Sequence, residues 1–218
     1  SIVSLKRMKK YIHLDKKYIS CSSNISCTKL ARYLYDNKQP GFEFLYGIPG
    51  TIAGAVSMNA GAFEREIMPY VHSLDLLDEN GTIYTLKNNE ISYSYRTSNI
   101  NEKSIIISVN LSKQTTNFDM NLLNLLNQKR KTSQPINQLS CGCIFKNPSG
   151  DYAARLIDSA QLKGSRSGGI YISHKHSNYF INDGSGTYTD FLVLLRRVKE
   201  TIASKFDVKL DEEVILLK

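Results

Sequence analysis

The sequence has no apolar run approaching the roughly eighteen residues that cross a bilayer. Residues 1–20 are broken by Lys, Arg, His and Asp, which excludes the apolar stretch of a secretory signal peptide. A soluble, cytoplasmic protein is the expectation. Cysteine is scarce: the four, at positions 21, 27, 141 and 143, are too few for a disulfide framework in a chain of 218 residues. They form no Cys-x-x-Cys, and no second Cys or His pair stands at structural-zinc spacing. On a strand His174 and His176 would share a face, but two ligands fall one or two short of a site, so no metal is expected. No initiator Met is present; the chain opens on the strand-like Ser-Ile-Val-Ser-Leu-Lys and is expected to begin partway through a domain.

Acidic charge is in deficit. Twenty-eight Lys and Arg against twenty Asp and Glu leave a formal charge of +8, which favours an anionic partner: a nucleotide or phosphorylated metabolite, nucleic acid, or an acidic lipid surface. The clusters at residues 6–10 and 129–131 are short and read as solvated surface. No ribonucleoprotein, zinc-finger or basic-zipper pattern accompanies them, and neither a nucleic acid nor a membrane partner is expected.

What is present is ordinary core material, 41% hydrophobic, in a mixed pattern without regular βαβ alternation. Leu30, Ala31 and Leu34 share one face of a helix over residues 28–38, stopped by Pro40-Gly41. Strands over 71–77 and 82–86 flank Asp-Glu-Asn-Gly, a hairpin signal, and a buried strand follows over 104–111. Leu122, Leu123, Leu125 and Leu126 mark an amphipathic helix over 117–131. A short helix is expected over 153–160, strands over 170–172 and 178–182, and a long helix over 189–206 with Phe191, Leu194, Leu195, Val198 and Ile202 inward. Residues 213–217 read as a closing strand. The fold class is α+β. The polar stretch 112–117 divides the chain into parts 1–112 and 113–218.

Five stretches carry candidate chemistry. In "GIPGTIAGAVSMNAGA", residues 47–62, glycines and small residues allow close backbone approach and offer N–H groups to an anion. The spacing is neither G-x-G-x-x-G nor a P-loop, and a tight turn packed in a core reads equally well. In "SYSYRTSN", Arg96 stands ready to grip a carboxylate or phosphate with two prongs, or is a surface arginine before a turn. "SCGCIFKNPSGDYAARLID" sets Cys141 and Cys143 before an Ile-Phe-Lys-Asn-Pro turn. "LKGSRSGGIYISHKHSNYFIN" joins Lys163 and Arg166 to three glycines, an anion-facing loop before a strand. The acids of "FDVKLDEEVILL" read as a solvated strand edge.

In this order and at these intervals, "GFEFLYGIPGTIAGAVSMNAGAFEREI", "SYRTS", "CGCIFKNP", "ARLIDSAQLKG", "SHKHSNYFIN" and "FDVKLDEEV" resemble the UDP-N-acetylenolpyruvoylglucosamine reductase family, over essentially the whole chain. The resemblance implies a partial FAD-binding lobe of the PCMH/vanillyl-alcohol-oxidase-like type, followed by an α+β substrate-binding domain. It implies an NADPH-dependent flavoenzyme that reduces UDP-N-acetylglucosamine enolpyruvate to UDP-N-acetylmuramate for peptidoglycan, with FAD as cofactor and NADPH as hydride donor. The compact spacing between Arg96 and Cys143 matches the family's shorter variant. The family's upstream Gly-Ser-Asn half of the flavin lobe is missing here. The alternative is accordingly a flavin-free remnant that only binds UDP-sugars or other anions. Oligomeric state is left open.

Carried over by position, the resemblance assigns Gly47, Ile48, Pro49, Gly50, Thr51, Gly54, Ala55, Asn59 and Gly61 to the flavin. Arg96 matches the catalytic arginine, which would stabilise charge developing on the substrate. Glu213, in Leu-Asp-Glu-Glu-Val, matches the catalytic glutamate, assisting from the opposite side. Tyr95, Lys146, Asn147 and Lys163 are expected at the substrate's diphosphate and sugar. Two departures stand out. Ala53 replaces a usual glycine, which would cost on the order of 1 kcal/mol if that residue needs φ > 0 and nothing otherwise. Cys143 replaces the serine that acts as general acid. A thiol of pKa about 8.5 is mostly protonated at neutral pH and is a stronger acid than an alcohol, so it can take over the task.

Overall fold

The computed structural model describes residues 3–216. The chain folds as two compact units that divide between Gln128 and Lys129. Among the described residues no helix is long and apolar enough to cross a membrane.

In chain order the first unit carries β1 (Ile12–Leu14), β2 (Tyr18–Ser22), α1 (Cys27–Asp36), α2 (Ile52–Ser57), β3 (Gly61–Ala62), β4 (Arg65–Glu66), β5 (Val71–Leu77), β6 (Ile83–Lys87), β7 (Tyr93–Ser94), β8 (Thr97–Ser98) and β9 (Ile105–Ser112). Five strands make an antiparallel sheet in the order β1-β2-β9-β5-β6. β9 is central because Ile106, Val109 and Leu111 are all buried, whereas β6 is an edge whose Ile83 is 65% exposed. Against the sheet packs α1, started by Ser26, whose side chain accepts from the Lys29 N–H at 3.2 Å. Its Leu30, Ala31 and Leu34 join Ile19, Cys21 and Cys27 in the core. Burial pushes both thiols up to about 12, so these two cysteines are inert core residues. The β5–β6 turn closes on Asp78, whose Oδ1 accepts from the Asn80 and Thr82 N–H groups at 2.9 and 2.8 Å.

α3 (Leu122–Ser133) runs across the division. Of the four leucines expected on its inner face, Leu123 is buried and Leu125 is 46% exposed. At 100° per residue the four span an arc of about 160° with Leu123 and Leu125 at its opposite edges, so the helix buries the Leu123 edge, leaves Leu122 and Leu126 half-buried, and turns the Leu125 edge to solvent. The second unit continues with α4 (Ala153–Ser159), β10 (Arg166–Ser167), β11 (Ile170–Ile172), β12 (Phe180–Asn182) and α5 (Tyr188–Phe206). The last three strands form an antiparallel sheet in sequence order. α5 begins with a capping box: Thr187 accepts from the Asp190 N–H at 3.2 Å, and Asp190 accepts from the Thr187 N–H at 2.9 Å. Leu194, Leu195, Val198 and Ile202 point from it into a core with Ile144, Phe145, Ile157 and Ile172.

The strand expected over 213–217 does not form in the described residues. Pairing there is a single isolated bridge between Phe145 and Glu212, with Val214 packed on the core; residue 217 lies outside the described residues.

Candidate functional site

The glycine stretch is only partly a loop. Residues 47–51 turn, with Gly47 and Gly50 at φ 84° and 100°, and then α2 starts at Thr51, whose side chain accepts from the Gly54 N–H at 3.4 Å. The turn is stitched to the end of β2 and the start of α1. Cys27 donates to the Gly50 carbonyl (3.2 Å), Ile52 to Ile25 (2.8 Å), Ala53 to Ser23 (3.0 Å), and Gly47 to the Thr28 hydroxyl (3.2 Å). Ala53 sits inside α2 without positive φ, so it carries no strain relative to glycine. Pro49, Gly50, Thr51 and Gly54 are exposed together, Ile48 is half-buried, and Ala55 belongs to the core. A Cβ added at Gly50 would meet nothing within 4 Å, and one at Gly54 only Thr51 Oγ1 at 3.9 Å, so the outer side of this stretch is open. Beside it, Ser23 Oγ and Asn24 Oδ1 are buried with no hydrogen-bond partner among the described residues. An open glycine surface backed by unused polar atoms fits a dinucleotide.

Asn59 and Gly61 do different work. Asn59 is fully buried in the left-handed region, φ 46°. Its amide donates to Glu66 Oε2 (2.8 Å) and the Ser94 carbonyl (2.9 Å) and accepts from the Met68 N–H (3.2 Å), which uses its side chain internally. At Gly61 a Cβ would lie 2.1 Å from the Arg65 carbonyl oxygen, so only glycine lets the β3–β4 hairpin close.

Arg96 occupies the β7–β8 turn at φ 55° and is not a surface residue: its side chain is 15% exposed. It donates to the carbonyls of Gly61 (2.8 Å) and Asn59 (3.4 Å), lies 3.7 Å from the Glu66 carboxylate, and is covered by the Tyr95 ring at 4.8 Å. A cation so held costs little to reorganise when negative charge arrives.

In the second unit the residues around Cys143 run between two segments remote in sequence. On one side Cys143 bridges Tyr179, and Ile144 donates to the Asn178 carbonyl at 2.9 Å. On the other, Glu213 donates to Ile144 (2.8 Å) and Lys146 to Asp211 (2.9 Å). Asn178, itself buried, braces the segment by accepting from the Phe145 N–H (3.0 Å) and donating to its carbonyl (2.8 Å). Cys143 and Glu213 are thereby neighbours. Burial first, then the charges of Cys143 and Glu213, push the Tyr179 hydroxyl up, while Arg130 acts in the opposite direction. Arg130 is 7% exposed and its guanidinium is lowered by burial, against the Tyr179 and Cys143 that favour its charge. The surface reading of residues 129–131 therefore fails for Arg130, because the short basic run straddles a buried helix face. Cys141, exposed as a residue, is pushed up by desolvation around its thiol.

The other expected contacts scatter. Asn147 caps α4, accepting from the Ala153 N–H at 3.1 Å, and Lys163 pairs with Asp158 at 2.8 Å. Sequence reasoning missed Glu66, Arg130, Asn178 and Tyr179. Glu66, Asn178 and Tyr179 lie inside quoted motifs, which is the only signal they gave.

Comparison with known proteins follows the same division. Residues 1–87 match a family model described as FAD binding domain, and residues 134–217 match the UDP-N-acetylenolpyruvoylglucosamine reductase, C-terminal domain. The UDP-N-acetylenolpyruvoylglucosamine reductase of Fusobacterium nucleatum subsp. nucleatum is 34% identical over 216 residues, 99% of this chain and 77% of that one. That of Caldanaerobacter subterraneus subsp. tengcongensis is 38% identical, covering 98% and 71%. The crystal structure of the enzyme from Thermus caldophilus superposes with a TM-score of 0.75 at 31% identity, over 86% of this chain and 68% of that one. With both domain models matched in order and full-length relatives aligned along most of their length, the chain belongs to the UDP-N-acetylenolpyruvoylglucosamine reductase family.

Proposed function

We propose that the chain catalyses the NADPH-dependent reduction of UDP-N-acetylglucosamine enolpyruvate to UDP-N-acetylmuramate, a step of peptidoglycan precursor synthesis, in the cytoplasm where NADPH and nucleotide sugars are made. The observation that supports the residue assignment is that the Glu213 N–H donates to the carbonyl of Ile144, next in the chain to Cys143, and that Cys143 and Glu213, from opposite ends of the second unit, both act on Tyr179. Bound FAD would supply the hydride chemistry, linking NADPH as donor to the enolpyruvyl methylene carbon as acceptor. Pro49, Gly50, Thr51 and Gly54 form the open surface that would hold it, with Gly47 and Gly61 shaping the backbone and Ile48, Ala55 and Asn59 supporting from beneath.

Reduction of the double bond leaves negative charge on the adjacent carbon and its carboxylate. Arg96 meets that charge as a preorganised cation. Cys143 gives a proton to the carbon, and Tyr179, its bridge partner, keeps the thiol in a hydrogen-bonded setting. Glu213 assists beside Cys143. Lys146 and Lys163 supply positive charge for the diphosphate, and Tyr95 and Asn147 polar surface for the sugar.

Separating the two half-reactions by stopped flow tests these roles. In Cys143→Ala, flavin reduction by NADPH should stay at the parent rate while reoxidation by substrate slows by about a hundredfold; Cys143→Ser should retain turnover, because a hydroxyl also carries the proton. Parent-rate reoxidation in Cys143→Ala overturns the donor assignment. Reoxidation by UDP-N-acetylglucosamine enolpyruvate itself tests the substrate.

A further inference from the structure

The surroundings of Arg96 contain a charged group that the reaction does not otherwise use, Glu66. Gly61 and Glu66 are register partners across the β3–β4 hairpin, so the carbonyl and the carboxylate that face the guanidinium come from directly opposed positions. The two strands approach closely there, since a Cβ on Gly61 would collide with the backbone of Arg65. Glu66 is also anchored from behind: its Oε2 accepts from Asn59 Nδ2 at 2.8 Å, leaving Oε1 toward Arg96 NH1 at 3.7 Å. The same Asn59 amide donates to the Ser94 carbonyl at 2.9 Å, in the hairpin that carries Arg96. Glu66, Asn59, β7 and Arg96 thus close a ring of contacts, and the Tyr95 ring covers the guanidinium.

We propose that Glu66, oriented by Asn59, is a positioning residue for Arg96, fixing the guanidinium as a cation before substrate arrives. The inference rests on the reading of Arg96 as the group that stabilises charge on the substrate. Carbonyl acceptors by themselves leave a guanidinium several side-chain rotamers; a carboxylate held at a fixed point selects one of them and keeps the charge in place. The electrostatic benefit to a transition state depends on that prior orientation, because a cation that must reorient during the reaction loses part of it.

The test is a double-substitution cycle on the purified holoenzyme, reading flavin reduction by NADPH and reoxidation by substrate separately. Glu66→Ala should slow reoxidation about tenfold or more and leave reduction within about twofold of the parent; in an Arg96→Ala background the same change should add less than about twofold. Glu66→Gln keeps an acceptor for Asn59 without the charge and supplies the same cycle if the alanine variant does not fold. A selective loss for Arg96→Ala with a fully multiplicative further loss from the Glu66 change overturns the positioning role alone. Parent-rate reoxidation in Glu66→Ala, or equal loss in both half-reactions, does so as well. An Arg96→Ala loss shared equally by both half-reactions instead overturns the reading of Arg96.

Discussion

The two units hold their candidate residues by different means. In the first, much of the arrangement is made of backbone: glycines at positive φ, a hairpin that tolerates no Cβ at Gly61, and an arginine at φ 55° that donates to two carbonyls. In the second, it is made of side chains and segment pairing: the Asn178 amide bracing Phe145, Tyr179 opposite Cys143, and the C-terminal segment on Ile144. A site built from backbone is sensitive to added atoms, because a main chain in close contact cannot step aside. A site built from buried polar side chains is sensitive to removed atoms, because the partner left behind is desolvated and unsatisfied.

The sharpest way to break the comparison is to add one methyl group in the first unit. Gly61→Ala should force the β3–β4 hairpin apart and displace the Arg96 cradle. Reoxidation of flavin by substrate is expected to fall by a hundredfold or more, measured by stopped flow with a melting curve alongside. A parent-like rate would show that the hairpin is not part of the cradle. In the second unit the matching experiment removes atoms. Asn178→Ala leaves the Phe145 N–H and carbonyl without partners and should cost roughly 2–3 kcal/mol in urea denaturation, whereas a cost under about 0.5 kcal/mol would mean that water replaces the brace.

Gly50→Ala refines the first side of the contrast. Its added Cβ meets nothing, so only the φ of 100° is penalised, and a loss of about 1–2 kcal/mol is expected, less damaging than the same change at Gly61. The smallest effect is a pH dependence in the second unit. His176 is lowered chiefly by burial, with its Nδ1 buried and lacking a hydrogen-bond partner among the described residues and its ring edge-on to Tyr179. Below the ordinary histidine pKa of about 6.5 the unfolded chain takes up the proton more readily than the folded one, so stability present above that pH is lost as pH falls through the depressed folded value. Melting temperature should drop modestly between about pH 7.5 and 5.5, and His176→Phe, which keeps the ring, should flatten the profile. An unchanged slope in that variant would assign the dependence to another group.

Much of the scaffold was legible before any coordinates. α1 and α5 repeat apolar residues at helical spacing, and Asp78 to Gly81 announce the β5–β6 hairpin by turn chemistry alone, so local rules sufficed for them. β1 and β2 were missed because they are short and lack clean alternation; the sheet, not their own pattern, makes them strands. α2 hid inside a glycine-rich run that reads as a loop until Thr51 caps it. The motifs and their intervals identified the family and nominated Arg96, Cys143 and Glu213.

By itself, then, the sequence determined periodicity, turn chemistry and the order of motifs, all of which depend on residues close together along the chain. The tertiary structure alone decided that Arg130 is buried while its basic neighbours are exposed. It also decided that residues near 213 pair as a single bridge rather than a strand, and that Glu66 stands beside Arg96. The physical reason is that burial and charge pairing depend on distance in space. Those distances are fixed only when strands and segments far apart in sequence come together, so no local pattern encodes them.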